Sequence, residues 1–91
     1  MPKHTNEEIK QMIQLVEENI KLILRHLEVQ PSMVDILTRK IIRKNSKRIA
    51  TLLNRPYGGT FPPEEIAEVL VSEQINIILK YTSEAAAASV S

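Results

Sequence analysis

A chain of 91 residues with a formal net charge of +1 and no cysteine is long enough for one domain, and it has no disulfides, thiol nucleophiles or cysteine-based zinc sites. Its 43% hydrophobic and 25% charged residues are typical of a soluble globular domain and argue against disorder. The polar amino terminus and the absence of a long apolar run predict neither a signal peptide nor a spanning helix, so we expect an intracellular protein of the cytoplasm or nucleus.

The first predicted helix covers residues 6–29. Thr5 and Glu8 stand at the spacing of a capping box, in which each side chain accepts a hydrogen bond from a backbone amide at the helix start. Pro31 is predicted to end this helix, because the residue before a proline is disfavoured in helical geometry. Apolar residues between these limits recur every three or four positions, the spacing of an amphipathic helix: Ile9, Met12, Ile13, Val16, Ile20, Ile23, Leu24 and Leu27.

The second predicted helix covers residues 32–54, with a weaker capping signal in Ser32 and Asp35 and a stop at Pro56. At about 100° per residue, its apolar side chains occupy one sector, and cations fill roughly the opposite half of the helix. No acid interrupts these cations, which form the predicted basic face: Arg39, Lys40, Arg43, Lys44, Lys47 and Arg48.

The third predicted helix covers residues 63–81. Pro62, Pro63 and the acids that follow suit a helix start, because proline needs no amide partner there and acids stabilise the helix dipole. This helix is apolar around much of its circumference, which is more surface than two neighbouring helices cover. We therefore predict an apolar interface with a partner, formed by Val69, Leu70, Ile77, Ile78 and Tyr81.

The loop before this third helix carries two aromatic residues, Tyr57 and Phe61, together with both glycines of the chain. These two rings are candidates for a peptide-docking edge. The alternative is that they fold back and cover the end of the bundle. The glycine pair lacks the spacing and the Lys-Ser/Thr of a phosphate-binding loop.

These elements predict an all-α fold, a three-helix antiparallel bundle over residues 1–82 with an alanine-rich tail at residues 83–91 that extends the third helix or frays. A chain of this length buries a core of marginal size. Because the third helix also has spare apolar surface, we expect the bundle to be completed by oligomerisation, as a homo-oligomer, or by docking to another protein.

Charge is distributed in blocks along the chain: residues 1–30 carry a net charge of −1, residues 31–60 carry +6, and residues 61–91 carry −4. The basic face predicts an acidic protein, an anionic membrane surface or the phosphates of nucleic acid as its partner. The alternative is a solvated face that glutamates of the other helices partly neutralise. No helix-turn-helix spacing and no aromatic stacking platform supports base recognition.

Catalytic and metal-binding groups are scarce in this sequence. His4 and His26 are the only histidines, and no metal-ligand spacing accompanies them. Adjacent acids such as Glu17 and Glu18 point about 100° apart on a helix and do not converge. We therefore expect no enzyme, no cofactor, no metal and no small-molecule substrate.

Two stretches of the chain carry a family resemblance. The first lies at Glu18, Asn19, Leu22, Ile23, Leu24, Leu27, Glu28 and Gln30. The second consists of Asn45, Ile49, Ala50 and Leu52. At these positions the chain resembles the SSXT family, which includes the synovial-sarcoma-translocation protein and the plant growth-regulating-factor interacting coactivators, although the spacer between the stretches is shorter here. The resemblance implies a transcriptional coactivator module that docks to a chromatin-remodelling subunit or a transcription factor.

The function that these observations predict is a non-catalytic helical protein–protein interaction module. It acts as a homo-oligomer, or as a subunit or adaptor of a larger assembly. Apolar helix surface supplies the affinity, and the basic face steers an acidic partner toward it. The alternative function is a small nucleic-acid-binding protein that uses the basic face of the second helix.

Overall fold

The computed structural model describes residues 5–53 and 62–83. Apart from one isolated bridge, the regular structure in these ranges is helical, so the all-α prediction is confirmed. The predicted loop residues Tyr57 and Phe61, and the tail from residue 84 onward, lie outside the described residues. The described ranges form five helices where three are predicted: α1 (Asn6–His26), α2 (Pro31–Lys44), α3 (Ser46–Leu53), α4 (Pro63–Glu73) and α5 (Ile75–Leu79).

The start of α1 is the predicted capping box. The backbone N–H of Glu8 donates to the hydroxyl of Thr5 at 3.1 Å, and the N–H of Thr5 donates to the carboxylate of Glu8 at 3.4 Å. Both amides would otherwise lack a partner within the helix. The helix therefore begins at Asn6, as the sequence indicates.

The end of α1 is a Schellman motif, and it comes at His26, before the predicted end at residue 29. Glu28 has a φ of 62°, in the left-handed region. Its N–H donates to the carbonyl of Arg25 at 3.0 Å, and the N–H of Val29 donates to that of Leu24, also at 3.0 Å. These are the two bonds of the motif. Glycine usually occupies the left-handed position, so a glutamate there costs about 1–3 kcal/mol.

The start of α2 corrects a second predicted boundary. The helix begins at Pro31, and Gln30 is its N-cap without a side-chain hydrogen bond. Proline is tolerated there because the first helical amides have no partner within the helix. Ser32 therefore lies inside the helix and does not cap it. The other member of the predicted cap, Asp35, instead lies 3.6 Å from the ammonium of Lys21 on α1.

A break at Asn45 separates α2 from α3, so the prediction of one helix over residues 32–54 is wrong. Asn45 has φ −113° and ψ 17°, and its side-chain Nδ2 donates to the carbonyl of Ile41 at 2.9 Å. Its backbone N–H is shared between the carbonyls of Ile41 and Ile42, at 3.1 and 3.3 Å. An asparagine side chain that competes in this way for backbone carbonyls weakens a helix. Hydrophobic periodicity does not detect this competition.

A second break, at Gln74, divides the predicted helix over residues 63–81 into α4 and α5. The predicted start at Pro63 is confirmed. Gln74 has φ −106° and ψ 13°, and its N–H bonds three residues back to Val71, at 3.1 Å. Beyond this turn, Ile78 of α5 is 1% exposed and belongs to the core.

The end of α5 is joined to the turn between α1 and α2 by two backbone hydrogen bonds, a pairing that we call the clasp. The N–H of Gln30 donates to the carbonyl of Tyr81 at 2.8 Å. The N–H of Ser83 donates to the carbonyl of Glu28 at 2.9 Å. These two bonds connect the carboxyl-terminal end of the described chain to the turn between α1 and α2.

Two buried residues form the centre of the clasp. Val29 and Thr82 make an isolated antiparallel bridge, and they are 4% and 6% exposed. The hydroxyl of Thr82 donates to the carbonyl of Leu79 at 3.0 Å. The clasp is therefore part of the core and not a surface contact.

The core is built by all five helices, with α1 packed along α4 and against α2. On α1 the fully buried side chains follow the predicted stripe, at Val16, Ile20 and Leu24. Among the described residues the core has two side-chain hydroxyls, and both are satisfied: that of Thr38 donates to the carbonyl of Val34 at 2.7 Å, and that of Thr82 donates to the carbonyl of Leu79 at 3.0 Å. The other buried apolar residues are Val29, Val34, Leu37, Ile41, Ile49, Leu53, Ile66, Ala67, Leu70, Val71 and Ile78.

The left-handed Glu28 gives the first testable prediction. Glu28→Gly removes the clash of Cβ with the backbone and should stabilise the protein by about 1 kcal/mol. For a chain of this size we expect the Tm in a thermal melt to rise by about 4–8 °C.

The matched control is Gln14→Gly at an exposed position inside α1, where glycine should cost about 1 kcal/mol and lower the Tm. A second variant, Glu28→Ala, keeps the Cβ and should change the Tm little. If Glu28→Gly lowers the Tm as Gln14→Gly does, the left-handed termination of α1 is refuted.

Candidate functional site

The predicted apolar interface on the third helix is divided between the core and the surface. Leu70 and Ile78 are each 1% exposed and pack inside this chain, so they are not available to a partner. This corrects the prediction, which treats residues 63–81 as one straight helix: Leu70 lies on α4, which packs along α1, and Ile78 follows the turn at Gln74. Val69 and Ile77 remain 42% and 47% exposed. Tyr81 is half-buried against the core.

The six residues of the predicted basic face are all exposed, but the break at Asn45 distributes them over two helices. Arg48, on α3, is bound by the carboxylate of Glu73 on α4, with its Nη1 at 2.7 and 3.0 Å from the two oxygens. The hydrogen bond and the negative charge of Glu73 raise the pKa of Arg48. This cation is therefore neutralised within the molecule, as the solvated-face alternative expects.

The remaining five cations of the basic face make no ion pair with any carboxylate in residues 5–53 and 62–83. Like charges three or four positions apart on a helix repel one another and reduce its stability. An anionic group on another molecule would offset that cost. The unpaired cations are Arg39, Lys40, Arg43, Lys44 and Lys47.

A groove of about 470 Å³ lies between α2 and α5, beside three of these unpaired cations. Its floor is apolar, with two side chains from each helix: Leu37 and Ile41 from α2, and Ile77 and Ile78 from α5. Its remaining lining is polar and comes from Lys40, Arg43, Lys44 and Gln74. We call the three cations of this set the rim.

The sequence of α2 explains why floor and rim lie side by side. Leu37 and Ile41 are four residues apart and therefore stack on one face of the helix. Lys40 follows Leu37 by three residues, and Lys44 follows Ile41 by three residues. This spacing places the two lysines about 60° around the helix from the apolar pair. The long lysine stems then cover apolar surface while their charged ends stay in water.

The sequence identifies the three cations of the rim, and it also identifies Ile77 and Ile78. It does not predict that these two sets of residues line the same groove. The prediction leaves out Leu37, which the i, i+4 spacing to Ile41 would have revealed. The turn at Gln74 carries no comparable signal, because glutamine is a good helix former. That turn sets the direction of α5, so the groove follows from tertiary packing.

A second depression, of about 430 Å³, lies on the α1–α4 side of the molecule, and its lining includes Ile23, Leu27, Val71 and Glu68. It has no cation, in contrast to the groove. Elsewhere in residues 5–53 and 62–83, no three histidine or acidic side chains converge as metal ligands would. None of the helices in those ranges is both long and apolar enough to cross a bilayer.

Comparison with known proteins adds no relative: no family model, no curated protein and no solved structure matches the chain. The resemblance of residues 18–30 and 45–52 to the SSXT family stays a prediction.

The division of the predicted interface gives the second testable prediction. Leu70→Ala empties core volume and should lower the free energy of unfolding by roughly 2–5 kcal/mol. The neighbouring Val69→Ala removes methyl groups from an exposed side chain and should change the free energy of unfolding by less than about 0.5 kcal/mol.

Urea unfolding at two protein concentrations measures both effects, and the loss for Leu70→Ala should be the same at both. A loss at Val69 as large as that at Leu70, or a loss that grows as the protein is concentrated, would instead place this helix surface in an oligomer interface.

Proposed function

We propose that the protein is a non-catalytic interaction module whose groove binds an amphipathic helix with acidic side chains on a partner protein. The single observation that carries this proposal is an apolar floor bordered by three cations that have no counter-ion within residues 5–53 and 62–83. Floor and rim are complementary to the two sides of such a helix.

An amphipathic helix fits the groove because its apolar side chains and its acidic side chains contact different parts of the site. Apolar side chains of the helix bury against Ile77, which is 47% exposed, and against the aliphatic stems of Lys40 and Lys44, which supplies the affinity. Leu37 and Ile41 line the groove beside them but are only 4% and 5% exposed. Glutamates beside them reach Lys40 and Lys44, which raises the association rate and excludes uncharged helices. A partner with only one of these two features satisfies only half of the site.

Nucleic acid is the second candidate partner, and the five unpaired cations support it. A phosphate backbone, however, would leave the apolar floor of the groove exposed to water. It would also use Arg39 and Lys47, which lie outside the groove, as much as the rim. The two candidates therefore predict different effects for the same charge changes.

The wider setting of the function is part of the same proposal. A chain without cysteine suits a reducing, intracellular compartment. The resemblance to the SSXT family agrees with a docking role in transcription, in which catalysis has no part. An amphipathic acidic helix is a common form for a partner that folds on binding.

The third testable prediction concerns this groove. The probe is a synthetic helical peptide with two leucines seven residues apart and glutamates between them. We expect it to shift the backbone amide resonances of Leu37, Ile41 and Ile77 in ¹⁵N spectra. Lys40→Glu combined with Lys44→Glu should weaken peptide binding at least about tenfold, because both charges border the site.

The matched control is Arg39→Glu combined with Lys47→Glu, which changes the net charge equally but outside the groove. It should weaken peptide binding less than about fivefold, as screened surface charges do. A peptide with glutamine in place of glutamate should bind more weakly than the acidic one. The proposal fails if the acidic peptide leaves the groove amides unshifted, or if duplex DNA binds and both charge-reversal pairs weaken it equally.

A further inference from the structure

An exposed ridge on α1 has the same chemistry that the groove requires of its partner. Leu15 and Leu22 are 48% and 59% exposed, although they lie on a helix whose other face is fully buried. They are seven residues apart and stand within about 20° of each other around the helix. Glu18 lies between them, within about 60° of both, and is also exposed. We call these three residues the ridge.

The nearest cation on the same face is Arg25, which stands about 20° from Glu18 around the helix but seven residues, about 10 Å, further along it. Lys21 is the nearest basic residue along the helix, but its ammonium lies 3.5 Å from Glu17 and 3.6 Å from Asp35 of α2. It is therefore committed to the α1–α2 side of the molecule. Glu18 makes no ion pair in the described part of the chain.

We propose that the ridge of one copy of this protein occupies the groove of another copy. In this contact Leu15 and Leu22 cover the apolar floor, and Glu18 meets the cations of the rim. The proposal rests on the proposed function, because it uses the same groove and names its occupant. It places self-association on α1 and on the groove, which includes Ile77 and Ile78 of the predicted apolar interface of the third helix but not its other members.

The occupant has to come from a second copy. In its own chain, α1 is held by Val16, Ile20 and Leu24, which are all fully buried against the other helices. The leucines of the ridge remain exposed beside that core, so they do not reach the groove of the same chain. The contact therefore joins two different surfaces.

A contact between two different surfaces leaves one free groove and one free ridge at the ends of every open assembly. Such heterologous contacts add further copies and form chains, or rings once the two ends meet. The apparent mass should therefore increase with concentration, and beyond that of a dimer unless two copies close on each other. The acidic peptide, which competes for the groove, should reverse this increase.

The fourth testable prediction separates the two halves of the contact. The groove variant is Lys40→Glu with Lys44→Glu, and the ridge variant is Leu15→Gln with Leu22→Gln; circular dichroism confirms that both stay helical. We expect sedimentation to show wild-type protein that associates and each variant alone as a monomer. An equimolar mixture should form a dimer and nothing larger, because each variant supplies the half that the other lacks.

Two further variants test the charge of the contact. Glu18→Lys should weaken association about tenfold, because it places a cation against the rim. Arg39→Glu with Lys47→Glu, outside the groove, should associate like the wild type.

Wild-type protein that stays monomeric as it is concentrated overturns the self-association. A groove variant that still associates also overturns it, since a two-fold ridge-to-ridge contact gives that result. So does a mixture of the two variants that stays monomeric, because the intact ridge of one variant then fails to bind the intact groove of the other. The peptide titration keeps the outcomes separate: a monomer that binds the acidic peptide in the groove overturns this inference alone, and a monomer that does not bind it overturns the proposed function as well.

Discussion

The antiparallel clasp between the α1–α2 turn and the end of α5 is the constraint on which the groove depends. Tyr81 accepts the N–H of Gln30 only three residues after Ile78, so the position of α5 is fixed close to the start of α2. This holds Ile77 and Ile78 opposite Leu37 and Ile41. Without the clasp, a five-residue helix would have too few contacts of its own to form one wall of a site.

The break at Asn45 separates a cation that is bound within the molecule from cations that have no counter-ion in the described chain. The break at Asn45 separates Arg48 on α3 from the cations of α2, and Arg48 is then bound by Glu73 of α4. The rim on α2 is left without such a counter-ion in the described chain. One basic stretch of sequence thus supplies an internal ion pair at one end and an unneutralised surface at the other.

The sequence predicts those features that depend on local spacing. The Thr5–Glu8 capping box, the buried stripe of α1 and the start of α4 at Pro63 all belong to this class. The breaks at Asn45 and Gln74 do not. Asn19 makes the same side-chain bond to a carbonyl four residues back inside the unbroken α1, so that contact alone does not signal the break at Asn45. The turn at Gln74 that buries Ile78 is decided by tertiary packing. The cations of the site are visible in the sequence, whereas its concave shape requires α5 to be placed.

The clasp consists of main-chain atoms, and this has a consequence for divergence. Replacing the side chains of Gln30, Tyr81 or Ser83 leaves the carbonyl and amide groups that make the two bonds. Proline at residue 30 or 83 is the exception, because it has no N–H to donate. Chains that share this fold can therefore drift apart at each of these positions, and the feature that fixes the architecture would leave no recognisable motif.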